Sequence, residues 1–575
     1  MVLGLQVLES WLYGGDAAAN LEIGDLFERL REKAENGYFE RLIREVLLEN
    51  PHTCQVVMHP SHTVGSEMRR QEQQRLEEIS SGWSMEEKKR LVELQEHLET
   101  WQKQEDSPEA LASLPRLSVE DLPKIPENIP ISTEKIHGIP VLRHSLATNG
   151  IVYGTLYFDA DGFDSEELSA LSFLCTLIGK LKTVGNSAAE ILQKTQRLCG
   201  NLNTYLSAFP EKGYPDRCHV KLCVSFSTLE EHAEEAAEHV VELLTETSFR
   251  ETSAIIDLLR QRKNQMYQQI LMSGSGFAMS RINAQISAAG EAISGICFYQ
   301  WLCAAEDSWE DGSLRGKMEF LAKRVFDRRG LTYSYTCGED RSLDGMAEIF
   351  AALPDRSSQE LSDALSVSSP SEERKSSLQR IRPAGRRKEG IIIAANVAFT
   401  ARGANFVTSG QEYTGALALA ARCITLNYLW NEIRVRGGAY GTGLTVSPSG
   451  LACCYSYRDP DGARSLALYT KAAGYLKTFC QTAPDLTGLM IGAVSDASPL
   501  QTPKAKAVSS DQDYWCGITW EDRCRWRTEL LKTTPETLNA LAAPLEQTIT
   551  QAGTCLIGPR EQIEACQDLD LILPL

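Results

Sequence analysis

The stretch CHVKLCVSFSTLEEHAEEAAEHVVELL, residues 218–244, passes from a strand pattern to a helix pattern across a short turn. Its helical part is amphipathic, with the apolar residues Leu229, Val240, Val241 and Leu244. The stretch LACCYSYRDPDGARSLALYTKAAGYLKTF, residues 451–479, repeats the order strand, turn, helix. This recurrence indicates an ancient duplication. It predicts an α/β (α+β) protein with two similar domains, each a mixed sheet with helices packed mainly on one face.

The part of the chain before the duplicated domains is predicted to be helical. Residues 1–62 end in the strand candidate TCQVVMHP (53–60), and we expect them to be the C-terminal tail of a preceding α/β domain. Residues 63–125 are predicted to form a linker built on an antiparallel helical hairpin. This hairpin is hinged at residues 80–82, and Ser84 is the expected N-cap of its second helix.

The two predicted α/β domains comprise residues 126–354 and 390–575. Their strand candidates include GIVYGTLYF (150–158) in the first and GIIIAANVAF (390–399) in the second. Between the domains, residues 355–389 are rich in Ser, Pro and charged residues, which predicts a flexible linker or an exposed loop. Within the first domain, SGSG (273–276) lies between two helical runs and is expected to form a turn.

Composition limits the possible function classes. The 575-residue chain has a formal net charge of -19, which argues against nucleic-acid binding and favours a cationic or neutral partner. The sequence has no apolar run long enough to span a membrane and no basic, signal-like N-terminus. The 16 cysteines lie mostly in apolar runs, which is typical of buried free thiols in a reducing cytoplasm.

The motifs of common catalytic centres are missing from the sequence. None of the nine histidines belongs to an HExxH or HxxEH motif. The nearest approach is His232-Ala233-Glu234-Glu235-Ala236, where alanine replaces the second histidine, so this stretch is expected to be a solvated helix face. The sequence also lacks a P-loop, a complete GxGxxG and a GxSxG elbow. We therefore predict no metal site in this chain.

The stretch NEIRVRGGAYGTG, residues 431–443, places an arginine before a glycine pair and a tyrosine after it. The preceding run GALALAARCITLNYLWNEI (415–433) is typical of a buried helix, which Gly437 and Gly438 are suited to end. One interpretation is therefore only a glycine-capped helix leading into a strand. The other is that Arg434 and Tyr440 donate hydrogen bonds to a peptide carbonyl and its developing oxyanion.

Several stretches resemble one protein family in the same order along the chain. LWNEIRVRGGAYG (429–441) is similar to the C-terminal signature of the pitrilysin and insulysin zinc metalloproteases, in the branch of presequence protease and falcilysin. Residues 146–183 resemble the opening of that branch's third domain, residues 273–295 its later helical part, and residues 391–406 the start of its fourth domain. The stretches at 3–16 and 38–61 resemble the end of the second domain.

The resemblance implies a clamshell of two halves around a peptide-degrading chamber, with zinc held on an HxxEH helix in the N-terminal half. This chain is expected to begin inside the second domain, so the zinc ligands have no counterparts here, and zinc is expected in an N-terminal partner half. The resemblance assigns Arg434 and Tyr440 as catalytic residues. With Gly437 and Gly438, they are also expected to contact substrate.

The predicted function is that of the C-terminal half of a presequence-protease-like metalloendopeptidase. In this interpretation the chain closes the chamber, binds unfolded or extended peptides, with cationic ones favoured by its charge, and needs an HxxEH-bearing partner for activity. The alternative is a catalytically inactive scaffold or peptide-binding protein of the same fold.

Overall fold

The structure is a computed structural model, and it describes residues 2–22, 24–61, 63–104, 106–115, 117–308, 313–338, 344–356 and 381–575. The chain divides into two compact units, residues 1–115 and residues 116–575. Of the linker predicted at 355–389, residues 357–380 lie outside the described residues, and a strand has already begun at Lys388. Among the helices of the described residues, none has the length and hydropathy of a membrane span.

The first unit is helical in its described residues. Ser84 caps its helix as predicted, since its side chain accepts a hydrogen bond from the Glu87 amide and the Glu87 carboxylate accepts one from the Ser84 amide. The helices before and after residue 82 form where predicted, but every described residue in them except the half-buried Ser80 is exposed. The predicted hairpin is therefore two helices that bury none of their described side chains against each other. The helices are Val2–Trp11, Gly24–Glu35, Tyr38–Ile43, Val64–Ser81, Met85–Lys103 and Pro108–Ala112.

The strand predicted at 53–60 is wrong, because the described residues from 52 to 61 have no regular secondary structure. A strand satisfies its backbone donors and acceptors through a neighbouring strand. The described part of residues 2–115 contains no strand that could act as this neighbour. As a result, Val56 and Met58 are both exposed.

The first sheet belongs to the second unit and has six strands. Its spatial order is β1-β2-β6-β3-β5-β4. It is mixed, because β2 and β6 run parallel while the other neighbouring pairs run antiparallel. The prediction at 150–158 is confirmed by β3. The strands are β1 Ser132–Ile136, β2 Ile139–Ser145, β3 Ile151–Asp159, β4 Asn201–Pro210, β5 Cys218–Leu229 and β6 Leu331–Cys337.

The second sheet repeats the first and so supports the predicted duplication. Its order is β12-β7-β11-β8-β10-β9, so β7 to β11 occupy the places of β2 to β6 with the same directions. The two sheets differ only in the edge strand next to β2 or β7. In the first sheet this strand is β1, which comes first in the chain, and in the second it is β12, which comes last. The single strand predicted at 390–399 is wrong, since β7 and β8 are separate strands. The strands are β7 Lys388–Ile392, β8 Ala398–Asn405, β9 Gly441–Val446, β10 Leu451–Asp459, β11 Gly553–Gly558 and β12 Leu571–Pro574.

Helices surround both sheets. Those of the first domain are Ser165–Leu177, Ala188–Leu198, Ala233–Glu246, Thr252–Ile286, Ala288–Ala292, Gly295–Asp307, Ser313–Val325 and Asp344–Ala351. Those of the second are Gly415–Cys423, Ile424–Val435, Gly462–Tyr469, Ala472–Gln481, Thr487–Ala497, Pro503–Cys516, Trp520–Leu531, Pro535–Thr550 and Arg560–Ala565.

The expectation that helices cover mainly one face of each sheet is incomplete, because each half sends a helix to the other sheet. The long helix, Thr252–Ile286, packs on β8, β10 and β11 of the second sheet, so that one hydrophobic core contains residues of both domains. The exchanged helix, Pro503–Cys516, packs on β4, β5 and β6 of the first sheet. Both helices lie between equivalent strands in the chain, and the exchange is therefore reciprocal.

Buried charged residues hold the long helix and the exchanged helix on the sheets that they cover. Arg281 of the long helix donates from Nε to Glu389 Oε2 at 2.9 Å and from Nη2 to Oε1 at 2.6 Å. Asp511 of the exchanged helix accepts from the Tyr157 hydroxyl at 2.8 Å and lies 2.8 Å from His144 Nε2. Burial raises the pKa of Tyr157, and the Asp511 charge raises it further. This hydroxyl therefore stays a donor.

The turn predicted at 273–276 is wrong. The long helix continues through it with a kink, since Ser273 alone has a non-helical backbone (φ -131°, ψ 37°). Gly274 lies against the Phe399 ring, and a Cβ there would come within 2.3 Å of the ring. The glycine therefore serves close packing of the helix on β8.

Candidate functional site

Arg434 lies in the last turn of a π-helix, Ile424–Val435, that continues the helix Gly415–Cys423. The helix predicted at 415–433 is therefore confirmed, with its second part wound more widely than an α-helix. The Arg436 amide shows this winding, because it donates to the Asn431 carbonyl five residues back at 3.0 Å. Such wide turns are frequent at functional sites.

The glycine pair follows the end of this helix, as predicted. The Gly438 amide donates to the Arg434 carbonyl at 3.0 Å, and Gly438 has a φ of 77°, which L-residues with side chains rarely adopt. A Cβ on Gly437 would come within 2.4 Å of the Ile433 carbonyl oxygen. The backbone therefore requires a glycine at both positions. The turn that they form brings Tyr440 back toward Arg434.

The Arg434 guanidinium lies over two aromatic rings. Its Cζ is 4.1 Å from the centre of the Trp430 ring and 5.7 Å from that of Tyr440. Such contacts hold a cation in place without using its N–H groups. Within the described ranges, the Arg434 guanidinium makes no hydrogen bond or ion pair with another residue, so its N–H donors are unpaired.

Tyr440 is 67% exposed, although its backbone is fixed. Its amide donates to the Tyr457 carbonyl at 3.0 Å. Its ring meets the Tyr457 ring edge to face, with centres 5.8 Å apart and planes at 74°. The Tyr440 hydroxyl has no hydrogen-bond partner among the residues that the structure describes. A large aromatic ring is thus held in an exposed position with a free donor.

Tyr457 connects this site to the long helix. It lies where the pairing of β10 with β8 is interrupted between Ser456 and Asp459, and such a bulge re-aims a strand's side chains. Its hydroxyl donates to the Met272 carbonyl at 3.1 Å, next to the kink at Ser273. The kink at Ser273 is therefore adjacent to the Met272 carbonyl that accepts the hydrogen bond from Tyr457.

Trp430, Arg434, Tyr440, Tyr457 and Arg458 together form what we call the Arg434–Tyr440 surface. Arg458 has a φ of 50°, and its guanidinium lies 5.5 Å from the Tyr457 ring centre. The surface offers guanidinium and phenol donors to a carbonyl or carboxylate. It contains no thiol, imidazole or carboxylate, and in the described part of the chain no group of three or more His, Cys, Asp or Glu is placed to hold a metal.

The structure brings Arg434, Gly437, Gly438 and Tyr440 together, as the sequence suggested. Sequence reasoning missed Trp430, Tyr457 and Arg458. Trp430 precedes Arg434 by four residues, which places both on one helix face, so this spacing was an available signal. Tyr457 carried no such signal, because its position depends on the pairing of Tyr457 with Gly441 and on the bulge.

Comparison with known families gives two matches. Residues 58–304 match a family described as associated with peptidases of family M16, subfamily C. Residues 388–556 match the family described as "PreP C-terminal domain". The second match includes the whole Arg434–Tyr440 surface.

Relatives align along nearly all of this chain. "Protein HypA" of Clostridium perfringens is 25% identical over 572 residues, which are 99% of this chain and 57% of the relative. "Presequence protease 1, chloroplastic/mitochondrial" of Arabidopsis thaliana is 26% identical over 581 residues, which correspond to 98% of this chain and 52% of the relative. The chain thus spans little more than half the length of these relatives.

Solved structures share the fold. A protease from Helicobacter pylori matches 75% of this chain and 100% of its own with a TM-score of 0.52 and 13% identity. A peptidase M16 inactive domain from Pseudomonas fluorescens matches 75% and 98% with a TM-score of 0.50 and 14% identity. At these identities the structures show the fold alone. The two family matches and the relatives, by contrast, support the assignment of this chain to the pitrilysin family of proteases, where it is similar to the C-terminal half of the presequence-protease branch.

Proposed function

We propose that this chain is the C-terminal half of a presequence-protease-like metalloendopeptidase, which closes the peptide-degrading chamber and contacts the substrate backbone. The observation that carries this proposal is the Arg434–Tyr440 surface. The Arg434 guanidinium and the Tyr440 phenol are held by aromatic contacts, and their donors have no partners among the described residues. Side chains that are fixed in this way and left unpaired are suited to a ligand that supplies the acceptors.

The acceptors that fit are the carbonyl oxygens of an extended peptide. Arg434 offers several planar donors, which suits it to hold a substrate carbonyl in the ground state. The Tyr440 hydroxyl is a single donor, and its contribution grows if negative charge develops on the carbonyl it contacts. Gly437 and Gly438 place these two side chains, and the exposed Gly438 lets a substrate backbone approach.

Zinc chemistry does not belong to this chain in our proposal. The sequence has no HxxEH motif, and the described residues contain no cluster suited to a metal. The zinc and its general base are instead assigned to an HxxEH-bearing N-terminal half.

Residues 2–115 support the proposal of such a partner half. Their described residues leave many large apolar side chains exposed, including Leu47, Leu48, Val56, Val57 and Met58. Exposed apolar segments of this kind mark surfaces that another protein surface covers. We propose that the HxxEH-bearing half covers them, with the segment from Val56 to Met58 adding to one of its sheets. None of the sixteen cysteines is joined in a disulfide, which agrees with a reducing compartment such as the cytoplasm.

Reconstitution tests the proposal. The purified chain is mixed with an HxxEH-bearing N-terminal half of a presequence protease, and cleavage of a quenched fluorescent peptide is followed. We expect no cleavage and no stoichiometric zinc with this chain alone, and zinc-dependent cleavage with both halves. Val56→Asp with Met58→Asp is expected to weaken association.

The matched control is Met85→Asp, which introduces a charge at an exposed methionine on a helix of the same unit. Peptide binding without cleavage in every reconstituted complex would favour the alternative, a catalytically inactive peptide-binding protein. Tightly bound zinc or cleavage by this chain alone would contradict the assignment of the chemistry to a partner half.

A further inference from the structure

A cavity lies in the first domain, and none of its lining residues belongs to the Arg434–Tyr440 surface. Its volume is about 690 Å³, within the range of small-molecule sites. It is lined by β4, by the helices Ser165–Leu177 and Thr252–Ile286, and by the first turn of the helix Gly295–Asp307. No residue of this cavity takes part in the function proposed above.

The charge of this cavity is opposite to that of the chain. The sequence contains 77 acidic and 58 basic residues, yet the described residues lining the cavity include no Asp or Glu. They include two basic residues, Arg262 and Lys180. A site with positive charge and no carboxylate is suited to an anion.

Arg262 is unpaired within the described ranges. Its Nε is buried without a hydrogen-bond partner, and the guanidinium lies 5.6 Å from the centre of the Phe298 ring. Burial lowers the pKa of Arg262, since no neighbouring carboxylate offsets the loss of water. By contrast, Arg260 on the same helix donates to Glu306 at 3.0 Å. An arginine without a counter-ion in a cavity indicates that a ligand supplies one.

Ser294 gives a second, independent indication. It lines the cavity, its side chain is almost completely buried at 3% exposure, and its hydroxyl has no partner among the described residues. It stands at the N-cap of the helix Gly295–Asp307 but makes no capping hydrogen bond. The first-turn amides of this helix and the Ser294 hydroxyl therefore remain available where the helix dipole attracts negative charge.

We propose that this cavity binds a carboxylate attached to an apolar body. The carboxylate accepts hydrogen bonds from Arg262, from Ser294 and from the amides that begin the helix Gly295–Asp307. The apolar body packs on Met266, Ile293 and Phe298. The carboxylate belongs either to a small organic acid or to the C-terminus of a peptide, because the chemistry is the same for both.

Calorimetric titration of the full chain tests this proposal. The probes are phenylbutyrate and its uncharged isostere phenylbutanamide, and a short peptide ending in Phe with a free or an amidated C-terminus. We expect at least one carboxylate probe to bind at least about tenfold more tightly than its amide, as loss of a charge-assisted hydrogen bond requires. Tighter binding of the free peptide than of phenylbutyrate identifies a peptide terminus, and the reverse order identifies a small acid.

Variants locate the site. Arg262→Gln is expected to remove the preference for the acid, while the matched control Arg260→Gln leaves it unchanged. Ser294→Ala removes only one oxygen, and it is expected to weaken acid binding several-fold even if Arg262→Gln does not fold. The proposal fails if acids and amides bind alike, if no probe binds, or if neither Arg262→Gln nor Ser294→Ala lowers the affinity of the acid relative to Arg260→Gln.

Discussion

Arg281 and Glu389 form a buried ion pair with two hydrogen bonds across 108 positions of sequence, joining the long helix of one domain to the first strand of the next sheet. Burial lowers the pKa of Arg281, but the hydrogen bonds and charge of Glu389 outweigh this effect and hold it above its usual value. The Glu389 carboxylate therefore compensates the charge of Arg281 in the interior.

Removal of one partner of this pair is expected to destabilise the fold strongly. Arg281→Ala or Glu389→Ala leaves a buried charge without its hydrogen-bonded partner, and each should lower the free energy of unfolding by about 3–5 kcal/mol. The double variant Arg281→Met with Glu389→Leu should lose much less. Denaturant unfolding measures these values, and Arg260→Ala, at a surface pair, should change stability by about 1 kcal/mol or less. Equal losses in the single and double variants would contradict this account.

Tyr440→Phe is expected to lower kcat of the reconstituted complex while barely changing KM. Loss of a single oxyanion donor typically reduces the rate about 10²- to 10³-fold. The exposed hydroxyl has no partner in the described structure, so stability should not change. Steady-state kinetics and thermal unfolding measure both effects, and Tyr214→Phe, another exposed tyrosine, is the control. Unchanged turnover, or an unfolded variant, would leave Tyr440 with a structural role at most.

Arg434→Ala is expected to raise KM as well as lower kcat. A guanidinium that holds the substrate backbone acts before the transition state is reached, so its loss weakens ground-state binding. Arg434→Lys should recover only part of the loss, because an ammonium lacks the planar arrangement of donors. The control is Arg436→Ala, two residues away, where the side chain is exposed and paired with Glu432. If both alanine variants behave alike, Arg434 has no special role.

Cationic peptides are expected to bind more tightly than anionic peptides of the same length. The net charge of -19 attracts positive ligands over a distance that salt shortens. Fluorescence anisotropy with labelled peptides at low and high salt measures this difference. The preference should shrink as salt increases, and equal affinities at low salt would rule out electrostatic selection.

Acid is expected to destabilise the chain through Glu242. Burial raises the pKa of Glu242, but hydrogen bonds from Lys194, Asn186 and Thr183 outweigh this and hold it at about 2. The unfolded state therefore takes up this proton first, so stability falls as pH decreases from about 4.5 toward about 2. Urea unfolding across this range should show a weaker pH dependence for Glu242→Gln. Glu238→Gln, at an exposed position on the same helix, should retain the original dependence.

The duplicated sheets were predictable because strand, turn and helix recur in the same order along the chain. The exchange of helices was not. The long helix buries residues on several sides, including Ile255, Met266, Ala278 and Ile282, so its pattern does not say which sheet it covers. The strand predicted at 53–60 failed for a related reason, since an apolar run becomes a strand only beside a partner strand.

The candidate site also has residues that could be predicted from the sequence and residues that could not. Arg434, Gly437, Gly438 and Tyr440 lie within seven consecutive residues, so local sequence was enough to place them together. Trp430 shares their helix and was within reach of the same reasoning. Tyr457 comes from β10, and its hydrogen bond to Met272 lies next to the kink of the long helix, which the sequence pattern did not predict.

The reciprocal exchange of helices makes the two duplicated domains inseparable. If the helices of each domain packed only on the sheet of that domain, as they would in an ancestral single domain, cleavage of the chain between the domains could release two folded products. Here residues 388–574 expressed alone would expose the face of β8, β10 and β11 that the long helix covers. The first domain expressed alone would keep His144 and Tyr157 but lack Asp511, the carboxylate that both of them contact. The two duplicated domains therefore have to be inherited together, because neither keeps a complete core when the other is lost or replaced.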